Sequence, residues 1–114
     1  MAADFRKIRP LKQIHYLILL ALSEGDLHGY GLKKEIIRRT DGAVRVGAGS
    51  LYRAISQLVE GGLIAPSDWR PPTRLDDERR AYFGLTAQGR LAATRETERL
   101  ARLVADARAA GFVG

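Results

Sequence analysis

The sequence has no cysteine, so it can form neither a disulfide bond nor a thiolate metal site, and it offers no cysteine nucleophile. It also has no long hydrophobic run: the longest, Tyr16 to Leu22, is seven residues, well short of the roughly 18 that suggest a membrane span. The residues after this run do not form the small-residue cleavage site of a secretory signal. We therefore expect a cytoplasmic protein with no membrane-spanning segment, and we expect neither a metal nor another cofactor.

Acidic residues are in deficit. Nineteen Lys and Arg oppose thirteen Asp and Glu, which gives a net charge of +6 and an isoelectric point near 10.2. This balance favours a polyanionic partner, either nucleic acid or an anionic membrane surface, and composition alone does not choose between them. The length of 114 residues and the 46% hydrophobic content fit one small domain with a modest core, which a partner subunit would help to stabilise.

Three stretches in the first half of the chain have the apolar spacing of amphipathic helices. The first runs from Leu11 to Leu22, and the second begins near His28 and ends at Thr40-Asp41-Gly42. The third runs from Ser50 to Glu60 and is stopped by two glycines. These are the predicted helices of a small helical domain.

The second half is predicted to form a hairpin and one long helix. Extended segments at Leu63–Ala65 and Ala81–Leu85 flank a loop rich in proline and charge. Thr86 is a suitable N-cap for a helix from Ala87 to about Ala110, a stretch rich in Ala, Leu, Arg and Glu. The helix has few apolar residues, and it either packs back on its own domain or, as we predict, pairs with a second copy through Leu100, Leu103, Val104 and Ala107.

This order of elements predicts a mainly α fold with a small β-hairpin, the winged helix-turn-helix, in which the third helix enters the DNA major groove. On that helix the face opposite the apolar residues is polar, as any solvated helix face would be. It has no acidic side chain before Glu60, and this absence favours DNA contact because phosphates would repel carboxylates. Its side chains are Ser50, Arg53 and Gln57, with Tyr52 and Ser56 along the edge.

The chain resembles PadR-type transcriptional regulators of the short branch with a single C-terminal dimerisation helix. The matching segments are "LHGYGLKKEI", "GSLYRAISQLVEGGLI" and "AYFGLTAQGR", in this order. The resemblance implies a DNA-binding domain over residues 1–86 and a dimerisation helix over residues 87–114. It further implies a homodimeric repressor that binds double-stranded DNA at a pseudo-palindromic operator and can be released by a small-molecule effector. The residues assigned to DNA are Ser50, Tyr52, Arg53, Gln57, Lys33, Lys34, Arg79 and Arg80.

Several positions depart from the family pattern. Gly47-Ala48 stands where serine or threonine followed by proline is usual, so we expect the third helix to lack a side-chain cap. Arg53 stands where proline is usual. Ala81 and Gly84 replace basic wing residues, a role that Arg79 and Arg80 can take. Since Trp69 lies in the wing and the last helix has no aromatic residue before Phe112, we expect no effector site of stacked tryptophans.

Two glycines open the second helix, although each costs a helix interior roughly 0.5–1 kcal/mol relative to alanine. We expect Gly29 and Gly31 to let backbones approach closely, with His28 and Gly29 forming the entry turn. Tyr30 is expected to lay its ring on neighbouring helices. A catalytic His28 is the weaker alternative, because no spacing with His15 suggests a site.

Two other functions remain open from the sequence. Residues 47–50 resemble a phosphate loop only superficially, because no Gly-Lys-Ser/Thr follows, and Ser50 has no histidine placed to activate it, so an enzyme is not expected. A winged-helix protein–protein interaction module without DNA binding is the second alternative, because a fold alone does not settle function.

Overall fold

The computed structural model describes residues 11–72 and 80–113, and its elements follow the predicted order with one addition. The predicted mainly α fold with a small wing is confirmed. The elements are α1 (Gln13–Ala21), continued by a 3-10 turn (Leu22–Glu24), β1 (Leu27–His28), α2 (Gly29–Arg39), α3 (Ala48–Glu60), β2 (Ile64–Ser67), β3 (Tyr82–Leu85) and α4 (Ala87–Ala109).

The addition is β1, which makes the predicted two-stranded hairpin a three-stranded antiparallel sheet of order β1-β3-β2. Leu27 pairs with Phe83 and His28 with Tyr82, while β2 pairs with the other edge of β3. A strand of two residues is too short to show the alternation that identifies a strand in sequence. The sheet therefore ties the entry of α2 directly to the wing.

The apolar faces of the first three helices and the start of the wing meet in one core. Each helix presents residues spaced three or four apart, which places them on one side. The largest fully buried side chains of this core are Ile18, Leu19, Leu32, Ile36, Leu58, Leu63 and Ile64.

The start of α4 is fixed to the end of α3 and the start of the wing. The Thr86 hydroxyl accepts a hydrogen bond from the Gly89 backbone N–H at 3.0 Å, as expected of an N-cap, and donates to the Gly62 carbonyl at 2.7 Å. A Cβ on Gly89 would lie 2.9 Å from the carbonyl carbon of Leu63 and closer still to its oxygen. Only glycine allows this approach.

The first half of α4 packs on α1, and the second half does not. Ala92 and Glu96 are buried, and the Tyr16 hydroxyl lies 2.7 Å from the Thr97 hydroxyl. Further along, Leu103 is 51% exposed and Val104 is 44% exposed. This half leaves an apolar stripe uncovered by the described residues of its own chain.

Candidate nucleic-acid interface

The polar face of α3 is set by how the helix packs. Leu51, Ile55 and Leu58 are buried, which turns Ser50 and Arg53 outward, and both are exposed. The helix begins at Ala48, two residues before the predicted start. Its N-cap, Gly47, makes no side-chain capping hydrogen bond, which confirms the expectation that this helix lacks a side-chain cap.

Arg53 is the exposed cation of this face. It forms no hydrogen bond or ion pair with any residue that the structure describes. Its guanidinium carries donors suited to the paired acceptors of guanine or to a phosphate.

Tyr52 lies at one edge of the face, against the start of α2. A Cβ on Gly29 would lie 2.8 Å from Cζ of Tyr52 and nearer to its hydroxyl, whereas one on Gly31 would meet Leu27 Cδ2 at an ordinary 3.4 Å. The expectation of close backbone approach is thus wrong for both glycines. Gly29 makes room for the Tyr52 side chain, and Gly31 leaves room for a Cβ.

Gln57 lies at the other edge of the face and is less exposed than its place on the polar face predicts. Its Oε1 is 2.8 Å from Nε2 of His15, a buried residue of α1, and Gln57 itself is half-buried. The His15 Nδ1 is buried without a hydrogen-bond partner in the described structure. A lone pair costs less to leave unpaired there than an N–H, so we assign the proton to Nε2, which donates to Gln57. The amide nitrogen of Gln57 then remains available as a hydrogen-bond donor.

A cluster of rings and cations occupies the entry of α2. His28 caps the helix by accepting from the Gly31 N–H at 3.1 Å, and the Arg80 guanidinium lies 3.1 Å from its other ring nitrogen. The ring of Tyr30 is parallel to that of His28, with centroids 6.4 Å apart, and Lys34 Nζ lies 5.5 Å from the Tyr30 centroid.

This cluster corrects one prediction and confirms another. Tyr30 does not pack on neighbouring helices: its side chain is 59% exposed and faces the His28 ring. His28 and Gly29 do form the entry turn, with His28 as a structural cap.

The structure brings most of the residues assigned to DNA near one another. Tyr52 touches α2 beside the cluster of Lys34 and Arg80, and Lys33 lies one turn after Gly29 on the same side of α2. Arg79 lies outside the described residues.

The sequence did not identify Arg70, whose guanidinium lies 5.1 Å from the ring centroid of Tyr82 and whose Nη1 donates to the Arg80 carbonyl. A cation close to a strand aromatic is a recognisable signal only once strand pairing is known.

Two classes of site are not observed among the described residues. No helix in that part of the chain is long and apolar enough to cross a membrane. No three metal-ligating side chains come together there either.

Comparison with known proteins places the fold in a family. The model of the "Transcriptional regulator PadR-like family" matches residues 18–95. An uncharacterised 37.1 kDa protein of transposon Tn4556 from Streptomyces fradiae is 37% identical over 87 residues, or 76% of this chain; the chain spans only 23% of that relative's length.

Two solved structures are similar in fold. A transcriptional regulator from Clostridium thermocellum matches with a TM-score of 0.68 and 26% identity, over 89% of this chain and 90% of that one. PadR of Bacillus subtilis, solved in complex with operator DNA, matches with a TM-score of 0.60 and 20% identity, over 74% of this chain and 46% of that one. Since the family model covers more than half of the sequence, the chain belongs to the PadR-like family, whose members are transcriptional regulators and not enzymes.

Proposed function

We propose that this regulator is a homodimeric repressor that binds double-stranded DNA at a pseudo-palindromic operator in the cytoplasm. In this proposal α3 enters the major groove and the wing contacts the flanking backbone. The observation that carries it is the outward face of α3, where Arg53 is exposed and unpaired among the described residues and no carboxylate precedes Glu60. The operator complex of Bacillus subtilis PadR, a protein of similar fold, supports it.

The contacts divide by chemistry. Groups on α3 face the base edges, and the cations of α2 and the wing face phosphates, which position a protein without reading sequence. We assign the base-facing role to Ser50, Tyr52, Arg53 and Gln57, and the phosphate-facing role to Lys33, Lys34, Arg79 and Arg80.

The dimer forms through the second half of α4. Leu103 and Val104 are about half exposed, and Leu100 and Ala107 continue their stripe on one side of the helix. A second copy of this helix would cover the stripe with residues of its own kind, in an isologous contact. We therefore assign dimerisation to Leu100, Leu103, Val104 and Ala107, within the proposed dimerisation segment 87–114.

Release by a small-molecule effector completes the proposal. A ligand can shift the protein off its operator only by binding the free and DNA-bound states with different affinities.

The test is binding to the DNA upstream of the protein's own gene, measured by gel shift at low and moderate salt. We expect retarded complexes with the native protein, weaker complexes with Arg53→Ala, and unchanged complexes with Arg102→Ala. Arg102 is an exposed arginine of α4, so the control removes the same charge away from α3. If the native protein retards neither this DNA nor random duplex at low salt, the proposal is wrong and a protein–protein interaction module is favoured.

A further inference from the structure

A cleft of about 520 Å³ lies outside the proposed DNA and dimer surfaces. It is bounded by the turn after α1, one side of α2 and the segment after β2. Its volume falls in the range of ligand pockets, about 300–1,000 Å³. Its lining includes Glu24, Asp26, Leu27, Glu35, Arg38 and Trp69.

One wall of the cleft is aromatic. Trp69 is 50% exposed and is held with its ring at 72° to that of Tyr82, centroids 5.5 Å apart. Its backbone N–H donates to the Ser67 hydroxyl at 3.1 Å. The indole therefore has a fixed support from the wing while part of its surface remains open to a ligand.

The charged lining is mainly acidic, although the chain as a whole carries +6. Arg38 and Arg39 both form ion pairs with Glu35, and Arg39 also forms an ion pair with Glu24 at 2.6 Å. The hydrogen bond from Arg38, more than its charge, lowers the pKa of Glu35, which therefore stays ionised at neutral pH.

Asp26 differs from the other two carboxylates. It accepts a hydrogen bond from the Ser67 hydroxyl, but no cation of the described residues lies within ion-pair distance. A half-buried carboxylate without a counter-ion, beside an indole face, suits a ligand that supplies the positive charge itself. The three carboxylates do not converge as a metal site within the described structure.

We propose that this cleft binds an organic cation with an apolar or aromatic body, its charge beside Asp26 and its body against Trp69 and Leu27. Such a ligand competes with Ser67 for the Asp26 carboxylate. Ser67 ends β2 and holds the Trp69 backbone, so binding loosens this end of the wing.

The cleft is connected to the DNA-facing cluster by a row of rings. Trp69 contacts Tyr82, and Tyr82 contacts His28 at 5.2 Å between centroids. His28 in turn lies beside Tyr30 and Arg80. The regulatory half of the inference rests on the proposed function: occupation of the cleft weakens operator binding by displacing the wing.

Binding itself is tested without DNA, so its failure is distinct from a failure of DNA binding. Trp69 is the single tryptophan of the chain and reports on the cleft directly. The protein is titrated with phenethylammonium, whose N–H groups can donate to the Asp26 carboxylate, and, as the charge control, with benzenesulfonate, at constant ionic strength. We expect a saturable change of Trp69 fluorescence with the cation only. No saturable change, or an equal response to the anion, refutes the site.

The role of Asp26 is tested by Asp26→Asn, which keeps an oxygen that can accept from Ser67. We expect about a tenfold weaker affinity for phenethylammonium, as for the loss of one charge-assisted contact. The matched control is Asp41→Asn, which removes the same charge from an exposed turn with φ of 52°, a conformation that asparagine tolerates. Equal affinity in Asp26→Asn and wild type, with both variants folded by circular dichroism, overturns the assignment.

The regulatory step is tested by operator affinity with and without phenethylammonium at a concentration that saturates the wild type, balanced with sodium chloride. We expect at least about a threefold loss of operator affinity in the wild type and a smaller loss in Asp26→Asn at the same ligand concentration. Fluorescence binding without a change in operator affinity refutes the coupling to the wing.

Discussion

Replacing Gly29 with alanine tests how the site is assembled, because Gly29 is the surface against which Tyr52 rests. The new Cβ would lie 2.8 Å from Cζ of Tyr52, whereas carbon atoms pack best at about 3.5–4.0 Å. The ring must therefore move by about 1 Å or turn away. Since Tyr52 is 52% exposed, it can swing into solvent without disturbing the core.

The expected magnitudes follow from this mobility. Unfolding free energy changes by no more than about 1 kcal/mol, because alanine's better helix propensity offsets lost contact with the ring. Operator binding loses about 1 kcal/mol, the net value of one hydrogen bond, or about fivefold in Kd. Gly31→Ala is the matched control: its Cβ finds ordinary contacts, so we expect a gain of up to about 1 kcal/mol in stability and unchanged operator affinity.

The assay is fluorescence anisotropy with labelled operator, alongside thermal unfolding of each variant. A double-mutant cycle with Tyr52→Ala shows whether the effect passes through this side chain. If Gly29→Ala still costs about fivefold in the Tyr52→Ala background, or if it binds operator as well as wild type while Tyr52→Ala does not, the proposed support of Tyr52 by Gly29 is refuted.

Three further predictions concern the charge, the specificity and the dimer. Two copies of the α2, α3 and wing cations can neutralise about 6–10 phosphates, so log K should fall with log salt at about −0.9 per contact; a slope near zero would rule out backbone binding. Selection of Arg53→Ala on a randomised operator should lose preference at one guanine, worth about 1–3 kcal/mol, if Arg53 reads a base, whereas uniform weakening indicates a phosphate contact. Sedimentation should show that Leu103→Asp is monomeric at micromolar concentration while Ala105→Asp, on the other side of α4, remains dimeric; a dimeric Leu103→Asp contradicts the stripe.

Local signals in the sequence were sufficient for the helices. Apolar spacing and the Thr86 cap predicted α4 from Ala87 to about Ala110, and the structure ends it at Ala109. The sequence predicts the first wing strand only as far as Ala65, because Pro66 follows it. Since β2 is an edge strand of the sheet, the missing N–H of Pro66 is tolerated, and the strand continues to Ser67.

Contacts between distant parts of the chain could not be predicted in the same way. Helical spacing turns Gln57 outward, but the buried His15, 42 positions earlier, holds its amide oxygen. Gly29 was singled out correctly as a position that needs a small residue, yet its neighbour is a side chain of α3. Both cases depend on which element packs beside a residue, and periodicity describes only the residue's own element.

The close approach of Gly89 to the Leu63 carbonyl has a consequence for operator geometry. It fixes the direction in which α4 leaves the winged helix, so the two α3 helices of a dimer are separated by a distance that depends on where along α4 the copies meet. A shift of that meeting point by one helical turn, about 5.4 Å, would place the recognition helices out of step with half-sites spaced at about 34–36 Å. In the proposed dimer, operator spacing is therefore a property of the α4 register, and redesigning the α4 stripe would change it without altering any residue assigned to DNA.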